Sequence, residues 1–113
     1  MADVYKQLAT TRTFYTSAGT TVYTVPALTT ALVKKIIVSN NAGVAGTVKL
    51  HHVPNGGSAS ALNVILPTTT LAANEHGVDD APFAMSAGDF IVAVGDNTVG
   101  HDINISIYGL EVS

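Results

Sequence analysis

The chain contains no cysteine, which excludes disulfides, a thiol nucleophile and a thiolate metal site. Charge is scarce as well. Asp, Glu, Lys and Arg make up 12% of the residues, about half of the roughly 25% typical of soluble domains. Basic residues are the rarer sign, with five Lys and Arg against eight Asp and Glu and a net charge of −3. That balance offers no basic patch for nucleic acid. Long apolar runs are also missing. The longest, residues 31–38, is interrupted by Lys34 and Lys35 and falls far short of the roughly 20 residues of a spanning helix. An integral helical membrane protein is therefore excluded. The start lacks the basic-then-apolar shape of a secretory leader, so synthesis in the cytoplasm is expected. Helical periodicity is nearly absent. Only Val4 and Leu8, four apart behind Asp3, offer one helical turn or an extended arm.

What is present fits a single domain. With 113 residues, 47% of them hydrophobic, the chain can bury one core but not two. Thr, Ser, Asn, Ala and Gly stand where charge is usual. Such surfaces suit permanent assemblies, in which a buried unpaired charge is costly.

Strand signals recur about every ten residues, each bounded by turn-formers. The expected strands are 12–17, 21–25, 32–39, 47–53, 62–66, 69–72, 76–80, 82–85, 90–94 and 103–112. Asn40 to Gly46 reads as a hairpin loop, Pro54-Asn55-Gly56-Gly57 and Ser86-Ala87-Gly88-Asp89 as turns, and Phe90–Val94 with Ile103–Val112 as a closing pair. The pattern predicts an all-β fold, an antiparallel β-sandwich or jelly-roll-like barrel of about eight short strands. Residues 1–11 form an N-terminal arm to this domain, which spans 12–113. Ile103, Ile105 and Ile107 alternate with polar residues, as in a half-exposed strand. Residues 32–38 and 90–94 are apolar on both sides, and only one side of a strand can face so small a core. The expected core is Ile36, Val38, Val48, Leu50, Val92, Ile105 and Ile107. The second faces are expected at subunit contacts, together with the arm: Val4, Tyr5, Leu8, Val33, Ile37, Ile91 and Tyr108.

Residues of catalytic type are present without a catalytic arrangement. Ser58, Ser60, His51, His52 and Asp79 complete a Ser/His/Asp inventory, yet no serine sits in a G-x-S-x-G turn. His51 and His52 are adjacent on a strand and point to opposite faces. They cannot share a metal ion without a bulge, and a zinc site would need His76 or His101 as well. One exposed and one interfacial imidazole is the simpler expectation. The pair Asp79-Asp80 and the turn residues Asp96 and Asp102 lack the spacing of a calcium loop. The glycines at 43, 46, 56 and 57 make no phosphate-binding loop. No catalytic residue, cofactor or metal is expected. Tyr15 and Tyr108 are the aromatics best placed for a ligand surface.

Taken as a whole, the strings VYTVPALTTALVKKIIVSNNAG (22–43), GTVKLHHVPNGGSAS (46–60), LAANE (71–75), MSAGDFIVA (85–93) and ISIYGLEV (105–112) resemble small bacteriophage virion proteins. The likeness covers roughly residues 20–112 and consists mainly of β-sandwich turn chemistry. It implies a structural, non-enzymatic role in the virion, as a capsid decoration or cement protein bridging neighbouring subunits. Neck, tail and fibre components share the same features. A receptor- or carbohydrate-binding module that uses Tyr15, Tyr108 or the His51-His52 strand is the reading from another class. The implied partners are copies of the chain and other virion proteins, the major capsid protein or tail and neck proteins, with a host glycan in the alternative. Neither nucleic acid nor membrane is expected as a partner.

Overall fold

The computed structural model describes residues 5–13, 20–60, 62–80, 82–95 and 103–112, with only the backbone described at 11–13. These residues form nine strands: β1 (Lys6–Thr13), β2 (Thr20–Thr24), β3 (Thr30–Asn40), β4 (Gly46–Val53), β5 (Val64–Leu71), β6 (His76–Asp79), β7 (Phe83–Met85), β8 (Phe90–Gly95) and β9 (Ile103–Val112). One sheet has five strands, in the order β1-β9-β3-β6, with β7 also paired to β3. β6 lies along Ile36–Ser39 and β7 along Ala31–Val33, so the two share one edge. The other sheet has four strands, in the order β2-β8-β4-β5. Every pairing is antiparallel. The sheets pack face to face as an all-β sandwich.

The core between them holds Ala31, Val33, Ile36, Val38, Ile103, Ile105 and Ile107 from one sheet and Val22, Tyr23, Val48, Leu50, Ile91 and Ala93 from the other. Six of the seven expected core residues lie there. The exception is Val92. It is buried but stands opposite His51 on the outer side of β4, whereas Ile91 and Ala93 stand opposite His52 and Leu50. Both sides of β8 are apolar, so the sequence pattern has no phase, and the structure turns Ile91 and Ala93 inward in place of Val92.

Two expected hairpins are instead corners between sheets. The Asn40–Gly46 segment carries the chain from β3 in one sheet to β4 in the other, and β8 and β9 likewise lie in different sheets. Turn residues mark where a strand stops; they do not specify which sheet the next one joins. Asn40 makes the first corner. Its buried Nδ2 donates to the carbonyls of Val44, Leu71 and Ala72, and its Oδ1 accepts from Ala42 N–H. The segments 62–66 and 69–72, expected to be separate, form one strand through Pro67. The register breaks between the Val48–Thr69 and Leu50–Leu66 pairs, and an edge strand with a bulge tolerates proline there. At the N-terminus, backbone pairing begins at Lys6, six residues before the expected strand, and runs along β9 to Thr13.

The register of β3 carries the main irregularity. Val33 stands opposite Gly109 and Lys35 opposite Tyr108, which leaves Lys34 as an extra residue. Side chains alternate strictly along a regular strand, so one extra residue exchanges the faces. Ala31 and Val33 point inward before the bulge, and Ile36 and Val38 after it. Both lysines stay exposed. Opposite, Gly109 has no room for a side chain: a Cβ there would lie 2.0 Å from the carbonyl oxygen of Leu32.

Gly109→Ala is expected to destabilise the domain by at least about 2 kcal/mol, because backbone rather than a side chain must yield. Ile105→Ala, which opens a cavity at a fully buried position, should cost about 2–5 kcal/mol. Urea melts measure both. A loss under about 1 kcal/mol for Gly109→Ala would show that the bulge can relax.

Candidate interaction surface

The outer face of the five-stranded sheet is set by register, since paired residues project to the same side. Beyond the bulge, Ile37 lies between Ser106 and Val78, and Ser106 is flanked by Thr10 of β1. Before the bulge, Leu32 lies between Leu110 and Ala84. Tyr108 sits between Gln7 and Lys35. Neutral hydrogen bonds tie the outer strands, from Gln7 Nε2 to Tyr108 Oη and between the Thr10 and Ser106 hydroxyls, each at 3.3 Å. The two carboxylates on the strands of this sheet stand in register with inward positions, Asp79 with Ile36 and Glu111 with Ala31. The face therefore carries apolar and hydroxyl groups, the amides of Gln7 and Asn104, His76 and the lysines at the bulge, and no strand carboxylate.

The sandwich is 43 × 27 × 19 Å. Its thinnest dimension fits two twisted sheets packed about 10 Å apart.

Polar groups are concentrated at the ends, where they join turns. Asp89 Oδ1 accepts from Asn55 N–H at 3.0 Å, and Oδ2 accepts from Ser86 N–H at 3.0 Å and meets His52 Nε2 at 3.0 Å. Burial alone would raise the Asp89 pKa. The hydrogen bonds from His52, Ser86 and Asn55 outweigh it and hold the carboxyl below its usual range. Gly88, at φ +84°, is needed for this turn, since a Cβ would lie 2.6 Å from Asn55 Cγ. His52 also faces Phe83 of the opposite sheet, with ring centroids 5.6 Å apart. Near the end of β9, Tyr23 Oη donates to Glu111 Oε2 at 2.6 Å, and Lys6 Nζ lies 3.2 Å from Oε1. The Tyr23 hydrogen bond is the main reason that the Glu111 carboxyl sits below its ordinary range, with Lys6 adding to it. Burial, and then Glu111 itself, push the Tyr23 phenol well above its ordinary value.

The two histidines do face opposite ways, but neither is free at a contact surface. His51 is 4% exposed. Asn63 Nδ2 donates to Ser58 O, and its Oδ1 accepts from Ser60 N–H and lies 2.8 Å from His51 Nδ1. His51 Nδ1 must therefore carry the proton. His52 is held by Asp89. Among the described residues no three His, Asp or Glu side chains gather as a metal site; His101, Asp96 and Asp102 lie outside them.

The expected contact residues divide. Ile37 and Tyr108 are half-buried on the outer face described above, and Tyr5 is exposed. Leu8 is the extra residue of a bulge in β1 and packs against the core. Val33 and Ile91 are corrected: at 1% and 0% exposure they fill the core and cannot reach a neighbour. The bulge reversed the face of Val33, and the unphased β8 hid that of Ile91. Val4 and Tyr15 lie outside the described residues. Leu32, Val78 and Leu110 were missed on the outer face, because their exposure depends on the pairing of β3. The turn signal Ser86-Ala87-Gly88-Asp89 pointed to Asp89; nothing local marked Asn40, Asn63 or Glu111.

A scan against protein-family models and a search of the curated proteins both found no match for the chain.

The shifted groups predict how stability depends on pH. Asp89 and Glu111 are lowered in the fold, so their stabilisation is present above the usual carboxylate range and is lost as pH falls through their folded values. Tyr23 is raised, so its contribution is complete below about pH 10 and is lost as pH rises beyond that, where the unfolded phenol ionises first. Tyr23→Phe should cost about 1–2 kcal/mol at pH 7 and flatten the alkaline fall. Thermal melts between pH 7 and 11 measure both, and an unchanged alkaline slope would remove Tyr23 from the account.

Proposed function

We propose that this chain is a structural virion protein of a tailed bacteriophage, a capsid decoration protein whose sandwich bridges neighbouring shell subunits. The observation that carries the reading is the outer face of the five-stranded sheet. Leu32, Ile37, Val78, Tyr108 and Leu110 project there among Ser and Thr, with no strand carboxylate. A face rich in apolar and neutral polar groups suits permanent contact with a regular lattice. The likeness of residues 20–112 to small virion proteins supports the same reading. Attachment is adhesive: burial of apolar and neutral polar surface supplies the affinity, and repetition on a symmetric shell multiplies it. A neck or tail position would use the same face on a different neighbour.

Attachment should survive about 1 M sodium chloride, because surface ion pairs contribute little and salt does not screen apolar burial. Purified chain added to tailed-phage capsids lacking a decoration protein should co-sediment with them at that salt. Tyr108→Asp should reduce the bound fraction without lowering the melting temperature by more than a few degrees. Failure to bind such capsids, together with location at the neck or tail by labelling, would move the role there. Binding to a glycan array instead would favour the receptor-binding alternative.

A further inference from the structure

We infer that the chain associates with itself head to tail, with Leu28 of one copy seated in the groove between β5 and β6 of the next. Leu28 lies in the turn between β2 and β3. It is 91% exposed and adopts φ +58°. A left-handed backbone is disfavoured for a residue with a branched aliphatic side chain, and turns that need it normally use glycine or asparagine. Leu28 is thus unfavourable twice over in the isolated domain, in its backbone and in its exposure. Strain of this kind points to a role that the free subunit does not show. Its neighbours Pro26, Ala27, Thr29 and Thr30 are uncharged. Leu62 is as exposed, but no left-handed backbone accompanies it, and single exposed apolar residues need no special account.

The receiving site lies where the edges of the two sheets diverge. It is a groove of about 110 Å³ lined by Ile36, Val38, Leu66, Thr69, Gly77, Val78 and Asp79. Removing one leucine side chain from a protein core leaves a dry cavity on the order of 150 Å³, so the groove is of a size for one such side chain. Val78, on its rim, is 52% exposed, and Val44 at the same end of β3 is 48% exposed. Both would gain cover from an incoming turn.

Knob and groove sit toward opposite ends of β3, separated by roughly 25 Å at about 3.3 Å per residue. A copy can therefore donate its knob to one neighbour while receiving a knob from another. Such a heterologous contact builds a closed ring or an open chain and not a two-fold dimer. The inference stands on the isolated chain and does not depend on the virion reading.

Sedimentation velocity of the purified chain over a wide concentration series tests it without capsids. Wild type should form species larger than a monomer. Leu28→Gly relieves the backbone and removes the knob; it should melt at or above the wild-type temperature yet weaken association by about tenfold to a hundredfold, the factor expected from losing one buried leucine. Leu28→Asn, which also tolerates the backbone, should do the same. Thr69→Lys, at a groove-lining position in register with the inward Val48, should block the groove and leave a folded monomer. The decisive arm mixes Leu28→Gly with Thr69→Lys. One retains an intact groove and the other an intact knob, so the mixture should give heterodimers and nothing larger. Monomeric wild type, undiminished association of the variants, or a mixture without heterodimers would each overturn the inference.

Discussion

One extra residue in β3 determines which way the rest of its sheet faces. Because Lys34 has no partner across the sheet, Val33 and Ile36 both point inward although they are three apart, and neither Lys34 nor Lys35 is forced into the core. Without the bulge, continuing the alternation from Val33 would turn Lys35 inward and Ile36 and Val38 to solvent. Burial of an unpaired lysine and exposure of two large aliphatics would each be costly. The compensating feature is on β9, where Gly109 lets the kinked backbone approach. Lysines and glycine are therefore one device, split between two strands about 75 positions apart in the chain. The outer face inherits part of its composition from that device, since Ile37 projects outward on the same side as Leu32 only because of the extra residue.

Apolar packing holds the sheets together but does not say how the chain turns from one to the other. That task falls to polar side chains at the corners. Asn40 satisfies three carbonyls around the β3–β4 corner, Asp89 joins the turns at 54–57 and 86–89, and Glu111 collects Tyr23 from the opposite sheet and Lys6 from the edge. Polar groups partly or fully withdrawn from water in this way are stabilising only when every partner is in place. At least three of the chain's eight carboxylates are thus committed to the fold, since Glu75 Oε1 also accepts from Ala72 N–H beside Asp89 and Glu111. This lowers still further the charge left for the surface.

The architecture was legible where alternation had a phase. β9 could be read because Ile103, Ile105 and Ile107 alternate with polar residues, and all three are in the core. β4 was readable from Val48 and Leu50 for the same reason. β8 was visible as a strand and unreadable as to face, because Phe90 to Val94 are all apolar. The bulge was invisible: two adjacent lysines look like an interrupted apolar run until Gly109 is placed opposite them. β1 was missed in part because Gln7, Thr10 and Thr11 carry no apolar period, and the strand exists through its backbone pairing with β9. Sheet assignment was not legible at all, since β3–β4 and β8–β9 have ordinary turn residues and nothing near them records the change of sheet. The candidate surface suffered most, because a face made from three or more strands is a property of pairing.

The edges constrain how copies of such a domain can meet. A long, regular, unpaired strand would recruit another chain by adding to the sheet. Here each edge is interrupted. β5 carries Pro67 and breaks register on both sides of Leu50. β1 bulges at Leu8 and begins with Lys6, and β2, only five residues long, shifts register after Thr21. The remaining edge is divided between β6 and β7, of four and three residues. Edge-to-edge growth is therefore disfavoured along each of the described edge strands. A surface so poor in charge still leaves apolar groups in water. With the edges blocked, the routes left for covering them are the sheet faces and the projecting turns, and there the exposed residues Leu28, Val44 and Val78 and the outer row of Leu32, Ile37 and Leu110 are found.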